Sequence, residues 1–158
     1  MFSRKARPAN TKLTLSAPPV PSKGKRILIA DDDKLIRQTL SIKLAAAGYT
    51  VIEAEDGAET VHRARYEEPD LLILDISFPP DVDGGGIYWD GFLLMDWLRK
   101  FSETRNLPII VISADDPRRW EERATAKGAR CGFQKPVPTQ QLINNIDELL
   151  LSQPLAKS

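Results

Sequence analysis

Apolar residues along this chain follow two alternating patterns. Short continuous runs rich in Ile, Leu and Val are separated by stretches in which apolar residues return every three or four positions. A continuous run suits a strand covered on both faces, and the longer period suits a helix with one buried stripe. The runs predict strands at RILIA (26–30), YTVIEA (49–54), DLLILD (70–75), LPIIVIS (107–113) and CGFQK (131–135). The first helix is expected over 34–47, with Ile36, Leu40, Leu44 and Ala47 as its stripe and Gly48 as its stop. A polar helix is expected over 58–67, and a third over 91–101 with Phe92, Met95 and Leu98 on one side. A fourth covers 117–127, and Pro138-Thr139 opens a last one whose stripe is Leu142, Ile143, Ile146, Leu149 and Leu150. The stretch SFPPDVDGGGIYWD (77–90) reads as a loop.

Strands that alternate with helices in this way predict an α/β fold, a doubly wound five-stranded parallel sheet with right-handed crossovers and helices on both faces. A length of 158 residues suits one hydrophobic core. With 42% apolar and 28% charged residues the composition is that of a globular domain. The longest apolar runs fall far short of the roughly 20 residues that a bilayer requires. Without a membrane span or a secretory signal, the expected location is the cytoplasm. Cys131 is expected to be a small core residue, because one Cys and one His cannot build a zinc site.

Charge is balanced overall but not along the chain. Residues 1–26 hold Arg4, Lys5, Arg7, Lys12, Lys23, Lys25 and Arg26 with no acid, whereas the remainder holds 15 bases and all 22 acids. Residues 1–25 are therefore read as a flexible basic arm suited to an acidic partner, residues 26–151 as the folded domain, and 152–158 as a tail. No separate DNA-binding domain is expected.

In open α/β sheets, ligands bind beyond the carboxyl ends of the strands where strand order reverses. Chemistry collects there. Strand one runs into Asp31-Asp32-Asp33, strand three ends in Asp75, strand four in Ser113 and strand five in Lys135. In the flavodoxin-like order 2-1-3-4-5, Asp31, Asp32 and Asp75 converge. Carboxylates crowded in this way repel, and a hard divalent cation such as Mg2+ relieves the repulsion. A carboxylate so held can attack phosphorus, with a lysine neutralising the phosphoryl oxygens. Asp33 is expected to cap the helix that follows it.

ILIADDDKLIRQTL, DLLILDISFPP, PIIVISA and the Lys135-Pro136 pair resemble the defining motifs of response-regulator receiver domains, in the right order over residues 26–151. The resemblance implies a phosphoacceptor, Asp75, in a two-component phosphorelay. It implies Mg2+ bound by Asp32 directly, by Asp31 through water, and by the backbone carbonyl of Ser77. Ser113 would move toward the phosphoryl group, Lys135 would contact it, and the bond before Pro136 would be cis. The implied partners are a sensor histidine kinase or a histidine phosphotransferase, and a downstream protein target. No activity beyond self-phosphorylation and self-dephosphorylation is implied, and the chain would act as a stand-alone receiver.

Two departures from that pattern stand out. The Asp-Gly pair expected to open the third helix is Asp90-Gly91, about eight residues late, although Asp83-Gly84 lies nearer the usual place. Residues 80–89 thus form an insertion beside the site, carrying Ile87, Tyr88 and Trp89. The aromatic that usually precedes the lysine by three residues is replaced by Gly132, with Phe133 one place later. Phe133, through a shifted strand, and Trp89, in the insertion, are the candidate switch residues.

Competing readings are weaker. A non-phosphorylated adaptor would normally have lost an acid or the lysine. An aspartate-nucleophile phosphohydrolase would place an acid where Ser77 stands. Gly84-Gly85-Gly86 lies inside the loop rather than between a strand and a helix, as a phosphate cradle requires. A Ser/His/Asp hydrolase is disfavoured because His62 falls on the polar second helix.

Overall fold

A computed structural model describes residues 24–77 and 90–152. Strand β1 (Arg26–Ala30) leads to helix α1 (Lys34–Ala46), then β2 (Thr50–Ala54), α2 (Gly57–Tyr66) and β3 (Leu71–Asp75). Helix α3 (Gly91–Leu98) is followed by β4 (Ile109–Ser113), a 3-10 turn (Pro117–Arg119), α4 (Glu121–Ala126), β5 (Cys131–Gln134) and α5 (Thr139–Leu151). All strand pairs are parallel and the order is β2-β1-β3-β4-β5, as expected. The chain leaves β1 toward one edge of the sheet and returns on its other side at β3, so the order reverses between those two strands.

Alternation along the strands divides the core in two. Leu28, Leu72, Leu74, Ile109 and Val111 face α2, α3 and α4, where Ala64, Leu94, Met95, Leu98, Trp120 and Ala124 meet them. Ile27, Ile29, Leu71, Ile73, Ile110 and Ile112 face α1 and α5, where Leu40, Leu44, Leu142, Ile146 and Leu150 meet them. Each Leu or Ile so enclosed contributes about 1.5–3 kcal/mol relative to exposure. Strands β3 and β4 are buried at every position, which is why they read as uninterrupted apolar runs.

Several expectations change in detail. The third helix ends at Leu98, not 101, and its inner face is Gly91, Leu94, Met95 and Leu98, with Phe92 only partly buried. Residues 117–127 do not form one helix. The chain breaks at Trp120 (φ −132°, ψ −20°), whose side chain turns into the core. Cys131 is half-buried against the α1/α5 core, and burial pushes its thiol pKa up. Gly24 and Lys25, the last residues of the expected arm, bond to the sheet edge: Gly24 N donates to Gly48 O (3.3 Å) and Thr50 N to Lys25 O (2.8 Å). The rest of the arm, most of the tail, and residues 78–89 with Pro79, Asp83-Gly84, the glycine triplet, Tyr88 and Trp89 lie outside the described residues.

Candidate functional site at the strand ends

Register carries the chemistry to one place. Ala30 pairs with Leu74, Asp75 with Ile112, and Ser113 with Gln134, so the residues at or just beyond the carboxyl ends of β1, β3, β4 and β5 share one rim. Backbone bonds continue past the strands and hold that rim. Ile76 N donates to Ile112 O at 3.2 Å, and Lys135 N to Ser113 O at 2.8 Å. The Lys135-Pro136 peptide is cis, as expected.

Asp31 and Asp75 are buried and Asp32 is exposed. Each offers a carboxylate oxygen, and these oxygens lie within 4.8 Å of one another. Lys135 Nζ lies between the two buried acids, 2.8 Å from Asp31 Oδ2 and 3.1 Å from Asp75 Oδ2. Its contact with Asp75 has hydrogen-bond geometry. The contact with Asp31 is an ion pair outside that geometry, and it leaves the buried Asp31 Oδ2 without a hydrogen bond among the described residues. Asp31 Oδ1 accepts from Asp33 N at 2.9 Å, and Asp75 Oδ1 from Ser77 N at 2.8 Å.

Electrostatics reflect this crowding. Burial and the neighbouring Asp31 push the Asp75 carboxyl up from 3.8 to about 6, against the opposing pull of Ser77 N–H and Lys135. Burial pulls the Lys135 ammonium down, but Asp31 and Asp75 outweigh it and hold its pKa above the ordinary lysine value. One cation thus serves two buried anions, and a third carboxylate stands at the opening.

Those residues fit a metal. An ion about 2.1 Å from each of two oxygens holds them at most about 4.2 Å apart, so a closure of a few tenths of an ångström, or one bridging water, completes the contact. The all-oxygen donor set, and a buried carboxylate oxygen without a hydrogen bond, are what a hard divalent cation would satisfy.

Ser113 is fully buried, and its Oγ lies 3.4 Å from Oγ of Ser77, two residues beyond Asp75. Asp33 caps α1 as expected, accepting from Leu35 N and Ile36 N. The uncertainty over the third helix is resolved in favour of Asp90-Gly91. Asp90 accepts from Leu93 N at 2.8 Å, and a Cβ on Gly91 would fall 2.3 Å from Ile76 Cα. Only glycine permits that approach beside Asp75.

Phe133 pairs in register with Ile112 and packs against the α1/α5 core, so the strand is not shifted. It does not fill the space over Gly132. Trp120 does, with Cζ3 only 2.6 Å from where a Gly132 Cβ would lie. His62 stacks near Tyr66 on α2, away from the strand ends.

One residue at the site escaped the sequence reading. Arg37 is buried, donates to the Asp31 carbonyl at 2.8 Å, and meets Glu53 at 3.2 Å and Glu55 at 3.8 Å. Its signal was the spacing 37, 40, 44 with two buried leucines, which places it on the inner face of α1.

Comparison with known proteins agrees with this geometry. The family model described as response regulator receiver domain matches residues 27–147. The chain is 33% identical over 125 residues to protein PilH of Pseudomonas aeruginosa, covering 79% of this chain and 97% of that one. It is 36% identical over 124 residues to the transcriptional regulatory protein PdtaR of Mycobacterium tuberculosis, where the match spans 55% of the relative's length. A crystal structure of a putative response regulator from Chloroflexus aurantiacus superposes with a TM-score of 0.72 at 30% identity, over 82% of this chain and 99% of that one.

Proposed function

The chain belongs to the response regulator receiver domain family, and we propose that it accepts a phosphoryl group on Asp75 in the presence of Mg2+ and passes the signal on by binding another protein. The observation that carries this reading is Lys135 Nζ set between Asp31 and Asp75 at the point where strand order reverses. Receiver domains are signalling modules, and kinases and downstream proteins are the partners that membership implies. A cytoplasmic location is consistent with this role. No helix among the described residues is long and apolar enough to cross a membrane.

In the proposed step, an ionised oxygen of Asp75 attacks phosphorus of a phosphohistidine or small acyl phosphate. The bond from phosphorus to the donor breaks, and its electron pair leaves with the donor. Asp32 directly, Asp31 through water, and the Ser77 carbonyl would hold Mg2+, which when bound supplies positive charge to the phosphoryl oxygens. Lys135 already touches Asp75 and needs little movement to meet an added oxygen. The Ser77 amide, on Asp75 Oδ1, fixes the carboxylate plane. Ser113 offers a hydroxyl from the β4 side.

Acetyl phosphate with Mg2+ should add one phosphoryl group, located on Asp75 by mass spectrometry and lost in Asp75→Asn. No adduct under saturating donor, or an adduct elsewhere, would turn the reading to a receiver-like adaptor. Asp32→Ala should remove most magnesium binding in a calorimetric titration.

A further inference from the structure

Beyond the acidic cleft, one continuous set of contacts leads from the site into the α4 side of the core. It begins at Ser113 Oγ, which accepts from Asp115 N at 3.1 Å. The carbonyl of the same residue, Asp115, accepts from Trp120 Nε1 at 3.0 Å. The indole is 4% exposed, sits in the core beneath α4, and lies against Gly132 of β5. A Cβ at Gly132 would fall 2.6 Å from Cζ3 and 2.8 Å from Cη2 of that ring.

Two features indicate that this arrangement is built around the tryptophan. The chain gives up helical continuity at Trp120, separating the 3-10 turn from α4, and the side chain so released reaches back to Asp115. Across from it, β5 carries the one residue type without a side chain. A break in a helix and a missing side chain both cost stability, and here they meet on one indole.

We propose that Trp120 is a positioning residue for Ser113 and the aromatic that reports occupancy of the site. The inference rests on Asp75 as phosphoacceptor. A hydroxyl that turns toward a phosphoryl oxygen must either carry the Asp115 amide with it or let it go. Asp115 is held at its other end by the indole, so displacement at Ser113 is felt at Trp120. Because the ring is buried in the same core cluster as Val111 and occupies the space that a Gly132 side chain would take, its movement must be taken up by α4 or β5. This role does not fall on Phe133, which packs on the opposite face of the sheet.

The test uses the native indole. In a Trp89→Phe/Trp97→Phe protein, Trp120 is the only tryptophan. Addition of Mg2+ and beryllofluoride should shift its emission, in step with a bound fluorine resonance in NMR. With Ser113→Ala added, binding should weaken, but once beryllofluoride is raised until the bound resonance reaches its full intensity the emission shift should still be absent. Separately, Trp120→Phe keeps a ring but removes the N–H that anchors Asp115, and should tighten beryllofluoride binding roughly five-fold, the worth of one neutral hydrogen bond. In the Ser113→Ala background it should change nothing, whereas an indole that only packs would act equally in both. A bound resonance with silent Trp120 emission, or equal effects of Trp120→Phe in both backgrounds, overturns this inference and leaves the phosphoacceptor reading standing. Absence of any bound resonance overturns both.

Discussion

At the scale of single residues, the balance between two buried acids and one ammonium sets the behaviour of the site. The Asp75 pKa stands at about 6 where an ordinary aspartate stands at 3.8, chiefly through burial and next through Asp31. Folding therefore favours its protonated form. The contribution of this group to stability is fully present below about pH 4 and is lost as pH rises through about 6, because above that the fold holds a buried anion. The gap corresponds to about 3 kcal/mol, an upper figure because Lys135 is shared between the acids. In chelator at pH 7.5, Asp75→Asn should raise unfolding free energy by about 1–3 kcal/mol, and the gain should vanish near pH 4. Lys135 keeps its 2.8 Å contact with Asp31 in that variant, so it is not left alone. Urea titrations of both proteins at the two pH values decide it; an equal gain at each would show that the effect is not titration of Asp75. The acids and the lysine were legible from sequence because each ends a strand. Arg37 was not, because a charged residue inside an apolar stripe reads as solvent-facing until the acids it meets are placed.

At the scale of elements, the positions most sensitive to substitution are those where backbones approach closely. Gly91 opens α3 directly against Ile76, one residue from Asp75, and donates its N–H to the Ile76 carbonyl at 3.3 Å. Replacing it with alanine gains at most about 1 kcal/mol of helix propensity. Against that, the new methyl would lie 2.3 Å from a backbone carbon, which only a shift of α3 or of the Asp75–Ser77 segment can relieve. Overpacking of this kind costs about 1–3 kcal/mol, so the clash wins. Gly91→Ala should lower stability and, because the strain is delivered next to the acceptor, slow labelling by acetyl phosphate. Normal labelling with lowered stability would mean that the helix yields and the site does not. The main elements were legible for the same reason that they are stable. Strands β1, β3 and β4 are apolar because both faces are covered, and α5 shows its stripe without interruption. The inner face of α3 was missed in part, because a three-residue step through Phe92, Met95 and Leu98 drifts off a 3.6-residue period and passes over Leu94. The break at Trp120 left no local signal. It depends on a carbonyl at Asp115 and a vacant Cβ position at Gly132, brought together only by the sheet.

At the scale of the whole molecule, the acidic site is a load on the fold that a cation would relieve. Three carboxylates crowd one rim, and the chain from residue 27 onward carries a net excess of acid. Two kinds of magnesium effect are therefore separable in principle: a diffuse one from the acidic body and a specific one from the Asp31, Asp32 and Asp75 cluster. At about 0.15 M salt the screening length is about 8 Å, which suppresses the diffuse effect and leaves short-range binding almost intact. A ligand bound only by the folded state stabilises it by about 2.7 kcal/mol at one hundred times its dissociation constant. For a domain of this size that is on the order of 10 °C in Tm. Magnesium at that concentration in 0.15 M sodium chloride should therefore raise the midpoint by about this much in the native protein. In Asp32→Ala the rise should nearly disappear, because Asp32 is the member of the cluster proposed to touch the ion directly. A substitution of the exposed Glu55, which belongs to the acidic body but not to the cluster, should leave the rise intact. Thermal scans with and without chelator make the comparison. If Glu55→Gln reduces the rise as much as Asp32→Ala does, the metal is held by overall charge, and the convergence of strand ends does not make a binding site.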